Sequence, residues 1–312
     1  MSELHLFDIS QYMYIGDRNL QVMRGMTSIA GRNCSRVLPC YGIASLLEAI
    51  RMYSKRGDLV FCVDSPPTYK RELHSRLFPE SSGYKGNRPK KSEETVIQKK
   101  MIVELLELLK CQVVCEESYE ADDLIASVVE VYASSYDKVF IHSTDSDLFY
   151  LVSENVEIAP LLYKGKHINM SNWETMVNRS YELKYNSITL FKMCNGEPGD
   201  NIPAVDGATM QRIYNNLDAG KSYMWGNNEL MRRVIARIVG EDDVRTLGIF
   251  DLIAPRVTEV ELYDIQMDMD LFNAALSVFQ CKNASNKFKQ ENVILENLID
   301  KYINMYMDMK YL

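Results

Sequence analysis

Two groups of acidic side chains lie directly against apolar segments between residues 119 and 150 of this chain. Five carboxylates belong to these groups: Glu120, Asp122, Asp123, Asp145 and Asp147. The first group opens a helical pattern, and the second follows a short apolar run that is typical of a strand. Carboxylates at the edge of a hydrophobic core are costly unless a cation neutralises them. The stretch therefore predicts a cation site where a helix begins and a strand ends.

Strand patterns and helix patterns alternate through the first 170 residues. Short apolar runs occur at residues 4–9, 59–64, 112–115, 138–143 and within 155–170, and helical spacing occurs at 40–56, 92–110 and 121–134. This alternation predicts an α/β fold with a mainly parallel central sheet flanked by helices. Asp8 and Asp64 stand at the ends of two predicted strands, the edge at which such sheets collect ligands.

The pattern changes to helices from about residue 187. We predict a catalytic α/β domain over residues 1–185 and a helical C-terminal domain over residues 186–312. The second domain begins with a helix–loop–helix at residues 188–217, whose loop carries Glu197 and Asp200.

The net charge of −8 argues by itself against a nucleic-acid partner. The charge is unevenly distributed, because residues 69–91 hold seven basic and two acidic side chains, a local charge of +5. Such a run is usually an exposed loop. Aromatic residues are interleaved with the basic ones, however, which also suits contacts to phosphates and bases. We predict that residues 66–92 form a basic segment that contacts nucleic acid.

Nine carboxylates are candidates for one metal site: Asp8, Asp64, Glu120, Asp122, Asp123, Asp145, Asp147, Glu197 and Asp200. Hard oxygen ligands suit Mg²⁺ or Mn²⁺. Two such ions about 4 Å apart can activate water and stabilise a leaving oxygen, which predicts phosphodiester hydrolysis. The chain has no Gly-x-Ser-x-Gly motif for acyl transfer. A phosphatase that starts at Asp8 would need a second Asp where Ser10 stands.

Several features bear on the cellular location. We find no apolar run of about 18 residues and no signal peptide, so no membrane span is expected. The seven cysteines are scattered, as expected for reduced thiols. We therefore expect a cytoplasmic protein, in the host cytoplasm if it is phage-encoded, that acts as a monomer.

Four motifs occur in a diagnostic order: Tyr-Lys-Gly-Asn-Arg at 84–88, Tyr-Glu-Ala-Asp-Asp-Leu-Ile-Ala at 119–126, Ser-Thr-Asp-Ser-Asp-Leu at 143–148 and Asn-Gly-Glu-Pro-Gly-Asp-Asn-Ile-Pro-Ala-Val at 195–205. Together they resemble the flap endonuclease / 5′–3′ exonuclease family over roughly residues 4–217. The opening Leu-Phe-Asp-Ile-Ser-Gln is similar to the phage-type branch, which includes the ribonuclease H of T-even bacteriophages.

The resemblance implies a PIN-like 5′-nuclease fold and two Mg²⁺ ions, for which Mn²⁺ can substitute. The residues that match the family's first metal group are Asp8, Asp64, Glu120, Asp122 and Asp145. Those that match its second group are Asp123, Asp147, Glu197 and Asp200. The implied substrates are DNA and RNA–DNA duplexes with a 5′ flap or 5′ end. The implied role is primer removal in phage DNA replication, beside a single-stranded DNA-binding protein and a sliding clamp.

The resemblance also implies that the basic segment at residues 66–92 is the family's basic arch. It further implies roles for basic residues and for the helix–loop–helix. Lys85 and Arg88 would contact the scissile phosphate and stabilise developing charge, and Tyr84 would stack on a base. Further nucleic-acid contacts are expected at Lys90, Lys91, Val205, Gly207, Ala208 and Thr209, where loop amides and a helix N-terminus would hold a backbone phosphate.

Three positions depart from the family pattern. Ile9 and Ser10 follow Asp8 where Gly is more usual, and Glu197 stands where Asp is more frequent. Residues 205–210 replace the Gly-Ile-Gly and following Lys that are usual in the family. In the family this loop binds a monovalent ion and a backbone phosphate, so the replacement affects both kinds of binding.

Two other classes of protein share some of these features. A PIN-type endoribonuclease or a Toprim-like hydrolase would have a similar acid set, but neither would need a basic arch and a duplex-binding helix pair. A DNA-binding protein that has lost catalysis would not be expected to keep all nine carboxylates together with Lys85 and Arg88.

Overall fold

The computed structural model describes residues 2–12, 28–30, 37–39, 41–159, 167–172, 195–216, 236, 260–279 and 292–310. The chain divides into two compact units that alternate along the sequence. Unit A comprises residues 64–89 and 115–260, and unit B comprises residues 2–63, 90–114 and 261–312.

The strands are β1 (Glu3–Asp8), β2 (Ser28–Ala30), β3 (Val37–Pro39), β4 (Gly57–Cys62), β5 (Gln112–Val114), β6 (Lys138–His142) and β7 (Val156–Ala159). The helices are α1 (Tyr41–Tyr53), α2 (Thr68–Leu77), α3 (Glu93–Leu108), α4 (Ala121–Tyr132), α5 (Gly207–Asn216), α6 (Met269–Phe279) and α7 (Val293–Lys310). Short 3₁₀ turns span Ala133–Ser135, Ser146–Leu151 and Pro198–Asp200.

In unit B, three parallel strands lie in the order β5-β4-β1. The register pairs Asp8 with Cys62 and Cys62 with Val114, so the strands end at a common edge. Helix α6 packs on α1, and α7 packs on α3. Leu6 and Phe7 in β1, and Val60, Phe61 and Cys62 in β4, are consecutive buried apolar residues, as expected for strands covered on both faces. Strands β2 and β3 form a separate antiparallel pair.

In unit A, β6 and β7 pair in parallel, with Val139 opposite Val156. Helix α4 packs on the 3₁₀ turn at 146–151. Leu124, Ile125 and Val128 on α4 are fully buried, so the apolar face of this helix lies in the core.

The predicted α/β class with parallel strands flanked by helices is confirmed, and each predicted strand overlaps an observed one. Helix α2 was not predicted, because its many charges suggested a loop. It forms because Lys70, Leu73 and His74 share one face and are buried. The predicted helix at 188–194 and the predicted domain boundary at 185 lie outside the described residues. The helix predicted after the 195–207 loop is confirmed as α5. Within the described residues, no helix is both long and apolar enough to cross a membrane.

Candidate metal centre

Three carboxylates converge at the start of α4. Glu120, Asp122 and Asp123 each offer an oxygen, and these oxygens lie within 4.8 Å of one another. Glu120 has an extended backbone just before the helix, and its backbone N–H donates to Asp123 Oδ2 at 3.0 Å. This local capping interaction holds the two carboxylates on the same side of the helix start. Asp123 is 1% exposed and Glu120 is 8% exposed.

Asp64 is held at the same helix start. Its Oδ1 accepts a hydrogen bond from the backbone N–H of Ala121 at 2.9 Å. The neighbouring Ser65 N–H donates to the carbonyl of Tyr119 at 2.9 Å. Asp64 and the carboxylates of α4 are therefore brought together by backbone contacts, although more than 50 residues separate them in sequence.

Asp145 and Asp147 lie at the 3₁₀ turn that packs on α4. Asp145 Oδ1 accepts from the backbone N–H of Asp147 at 2.9 Å, so this carboxylate caps the turn. Both residues are partly buried.

Asp8 belongs to unit B, where it ends β1. It is buried, and its Oδ1 accepts from the backbone N–H of Ser10 at 3.0 Å. The strand-end position predicted for Asp8 is confirmed, and its part in a shared metal site stays a prediction.

Glu197 and Asp200 lie in a tight turn of unit A. Glu197 and Ile202 exchange two backbone hydrogen bonds, of 2.9 and 3.0 Å, which close the turn. Gly196 and Asn201 at its two ends have φ of 67° and 64°. Asp200 is buried, whereas Glu197 is partly exposed.

Lys70 is a residue of this site that the sequence interpretation assigned only to the basic segment. Its ammonium lies 2.9 Å from Asp123, 3.1 Å from Glu120 and 3.7 Å from Asp122, and the residue is 4% exposed. Burial alone would lower the pKa of Lys70, but these three carboxylates raise it above its ordinary value. The helical spacing of Lys70, Leu73 and His74 is the signal that could have placed it inside.

The segment from Tyr84 to Arg88 also contacts the carboxylates. The Tyr84 hydroxyl oxygen lies 2.9 Å from both Glu120 Oε2 and Asp200 Oδ2, so its single proton is shared between these two acceptors. Lys85 pairs with Glu120, and its ammonium is 3.8 Å from Asp200. Arg88 pairs with Asp200 and donates through Nε to the Gly199 carbonyl at 2.6 Å.

Backbone contacts fix the same segment against the 197–201 turn. The Lys85 N–H donates to the Asp200 carbonyl at 3.0 Å, and Lys85 itself has φ of 58°. His74, fully buried on α2, lies with Nε2 2.8 Å from the Asn201 carbonyl. Asn201 donates to the Gly83 carbonyl at 3.0 Å. These contacts hold Lys85 beside Glu120 and Arg88 beside Asp200.

The electrostatics of the cluster suit a divalent cation. Burial and the neighbouring Asp123 and Glu120 raise the pKa of Asp122 well above its ordinary value, against the opposing effect of Lys70. Burial would also raise the pKa of Glu120, but Lys70 and Lys85 lower it to about 2. The donor atoms are all hard carboxylate oxygens, the type that Mg²⁺ and Mn²⁺ prefer.

Two predicted nucleic-acid contacts, Tyr84 and the start of α5, have protein partners in this structure, and their contacts to nucleic acid stay predictions. The Tyr84 side chain is 7% exposed, and burial, Glu120 and Asp200 raise its pKa well above the usual value. Stacking on a base would therefore require residues 84–88 to move away from Asp200.

The second predicted nucleic-acid contact is the start of α5. The backbone N–H groups of Ala208 and Thr209 both donate to Asp206 Oδ1 at 3.0 Å. A carboxylate thus lies where a phosphate was predicted. Val205 and Gly207 flank it in unit A, and Lys90 and Lys91 are exposed in unit B.

Comparison with known proteins agrees with this geometry. Residues 4–185, more than half of the chain, match the family model described as "5′-3′ exonuclease, N-terminal resolvase-like domain". The chain therefore belongs to the 5′–3′ exonuclease family. The parallel strands and the acidic cluster are consistent with this class of protein.

Particular relatives extend the similarity beyond that region. A 5′-3′ exonuclease of Aquifex aeolicus is 29% identical over 212 residues, covering 66% of this chain and 68% of the relative. A 5′-3′ exonuclease of Buchnera aphidicola is 24% identical over 298 residues, covering 91% and 95%. The crystal structure of T5 D15 protein co-crystallized with metal ions covers 98% of each chain at 16% identity, with a TM-score of 0.50. That similarity shows the PIN-like 5′-nuclease fold.

Proposed function

We propose that this protein is a divalent-metal-dependent, structure-specific 5′ nuclease that hydrolyses phosphodiester bonds at 5′ ends and 5′ flaps of duplex DNA. The observation that carries the proposal is the cluster of Glu120, Asp122 and Asp123 beneath Lys85. It supplies oxygen ligands and a phosphate-binding cation in one place. Membership of the 5′–3′ exonuclease family supports the same activity.

The nine carboxylates named from the sequence are the proposed ligands of two ions, with Mg²⁺ as the physiological choice and Mn²⁺ as a substitute. Bound ions of this kind activate water and neutralise developing negative charge. Glu120, Asp122 and Asp123 are held for this purpose by the start of α4, and Asp64 is held there by the Ala121 N–H. The buried setting strengthens their interaction with a cation.

Lys85 and Arg88 are the proposed contacts to the scissile phosphate. Their present partners, Glu120 and Asp200, are carboxylates that carry the same charge as a phosphate. Planar Arg and flexible Lys side chains both bind phosphate oxygens well. Substrate would take over these contacts and bring its phosphate to the acidic cluster.

The biological setting is proposed on weaker similarities. A DNA polymerase I from Thermus thermophilus is 26% identical over 230 residues, which is a quarter of that protein, and this similarity supports a role in DNA replication. The phage-type resemblance of residues 6–11 supports a phage origin and RNA-primer removal from RNA–DNA duplexes. We propose a cytoplasmic monomer that works beside a single-stranded DNA-binding protein and a sliding clamp.

The test is a cleavage assay on 5′-flap, nicked and RNA-primed duplexes, with product lengths resolved. We expect Mg²⁺-dependent products from 5′ ends, loss of activity in EDTA, and loss in Asp122→Asn. Glu130→Gln is the matched control, because Glu130 lies exposed on the same helix. Asp122→Asn should still bind the flap, since one negative charge near the phosphates is removed.

The alternatives give different results when a single-stranded RNA is added to the substrates. A PIN-type endoribonuclease would cut this RNA without regard to a 5′ end. An inactive DNA-binding protein would bind the flap and release no product with any divalent ion. Undiminished Mg²⁺-dependent cleavage by Asp122→Asn would remove the basis of the site assignment.

A further inference from the structure

Lys70 holds a central position among the three carboxylates of α4. Its ammonium is within 3.7 Å of an oxygen of each of Glu120, Asp122 and Asp123. Its stem is buried on the face of α2 that also buries Leu73 and His74. Lys70 is thus fixed by packing, whereas Lys85 is partly exposed and reaches the cluster from a turn.

The same oxygens serve the ammonium and any divalent ion. A hard divalent ion binds carboxylate oxygens at about 2.0–2.6 Å, and Lys70 already takes hydrogen-bonding positions on two of these carboxylates. A divalent ion bound to all three would lie close to a positive charge that water does not screen. The two cations therefore oppose each other at this place.

We infer that Lys70 is a built-in counter-ion that competes with a divalent ion for Glu120, Asp122 and Asp123. Ion binding breaks the contacts of Lys70 with this cluster. Lys70 stabilises the cluster before an ion binds and raises the ion concentration that the site requires. This inference rests on the proposed metal site but not on cleavage.

The inference links ion binding to the basic segment. Lys70 lies on α2, and the chain continues from α2 into residues 84–88, which contact Glu120 and Asp200. A divalent ion that takes the place of Lys70 on Glu120 carries more positive charge, repels Lys85 and so weakens the hold of Glu120 on this segment. Lys85 and Arg88 would then be freer to receive a phosphate.

The test compares Lys70→Met with Arg71→Met in the whole chain. Methionine keeps the apolar stem of Lys70 and removes its charge, while Arg71 is the exposed neighbour on α2 and loses the same charge. Ca²⁺ and Mn²⁺ affinities are measured by calorimetry without DNA. We expect Lys70→Met to bind the ion at least about tenfold more tightly than Arg71→Met.

Thermal unfolding gives an independent readout. In EDTA, Lys70→Met should melt about 5 °C or more below Arg71→Met, because buried carboxylates lose their partner. Saturating Ca²⁺ should remove most of this difference. Equal or weaker ion binding by Lys70→Met would overturn the inference and make Lys70 a permanent structural partner.

A wild-type measurement covers the case in which Lys70→Met does not fold. Amine-reactive acylation, followed by peptide mass spectrometry, reports whether Lys70 is accessible. Its acylation rate should rise when Ca²⁺ is added, while that of exposed Lys55 stays constant. An unchanged Lys70 rate at saturating Ca²⁺ would overturn the inference. A chain that behaves as expected here but cuts no DNA would contradict the proposed function alone.

Discussion

Charge balance at Glu120 shows how single residues shape this site. One of its carboxylate oxygens contacts Lys70 and the Tyr84 hydroxyl, and the other pairs with Lys85. Such a buried carboxylate is tolerated because cations and hydrogen-bond donors compensate its lost hydration. Each of these donors comes from the basic segment, so the acids and bases of the site stabilise one another.

Substitution of Lys85 is predicted to affect the chemical step, and substitution of Lys90 is predicted to affect substrate binding. Lys85→Ala removes a cation held over the acidic cluster and should slow single-turnover cleavage of a 5′ flap by about a hundred- to a thousandfold. Lys90→Ala removes an exposed charge and should weaken binding with little change in the single-turnover rate. Rapid-quench kinetics at saturating enzyme measure the single-turnover rate. The enzyme concentration at which this rate saturates measures binding. A Lys85→Ala variant that only binds more weakly would make Lys85 a positioning residue.

At the scale of elements, the 197–202 turn anchors the basic segment. Its carbonyls at Gly199 and Asp200 accept from Arg88 and Lys85, and Asn201 holds Gly83. The turn can make these contacts only because its own backbone folds back on itself between Glu197 and Ile202. The geometry of Lys85 therefore depends on residues more than 100 positions away.

Gly196 provides a test of that dependence. A Cβ at this position would lie 2.4 Å from the Ile202 carbonyl oxygen, at a φ that L side chains rarely adopt. Gly196→Ala should lower the free energy of unfolding by about 1–3 kcal/mol and reduce flap cleavage. Gly207→Ala is the control, because a Cβ there meets nothing within 4 Å. Denaturant titrations of both variants measure the difference, and equal stabilities would contradict the anchoring role.

The elements differ in how far the sequence predicts them. Strand β4 and helix α4 were predicted closely, because apolar runs and helical spacing reflect burial directly. Helix α2 was not, because Lys70 and His74 look like surface residues until their partners are known. The helix start at α5 was predicted as a phosphate site, yet Asp206 caps it.

For the whole molecule, the uneven distribution of charge sets how DNA binding depends on salt. The net charge is −8, yet residues 69–91 carry a local +5. Lys70 pairs with the acidic cluster. Of the six other basic residues in this segment, Lys85, Arg88, Lys90 and Lys91 are the predicted phosphate contacts. Binding should then be local and electrostatic rather than a property of the overall charge.

The expected salt dependence can be measured directly. Four phosphate contacts predict a slope of log K against log salt of about −3 to −4. A Lys90→Ala/Lys91→Ala double variant should make the slope about 2 less steep, and Lys55→Ala should leave it unchanged. Fluorescence anisotropy with a labelled flap in Ca²⁺ measures the slopes. A double variant with the wild-type slope would exclude Lys90 and Lys91 as phosphate contacts.

The sequence by itself determined the α/β class, the strands of the parallel sheet, helices α1, α3 and α4, and the acidic residues at the start of α4. It could do so because hydrophobic periodicity and local capping act between near neighbours. Only the tertiary structure decided the partners of those acids. Lys70 belongs to a segment that the sequence predicts to be exposed, yet it is buried among these acids. Tyr84 is predicted to stack on a nucleic-acid base, and in the structure its hydroxyl contacts Glu120 and Asp200. These contacts join residues up to 116 positions apart, and pairing over such distances depends on how the chain packs, which local patterns do not encode.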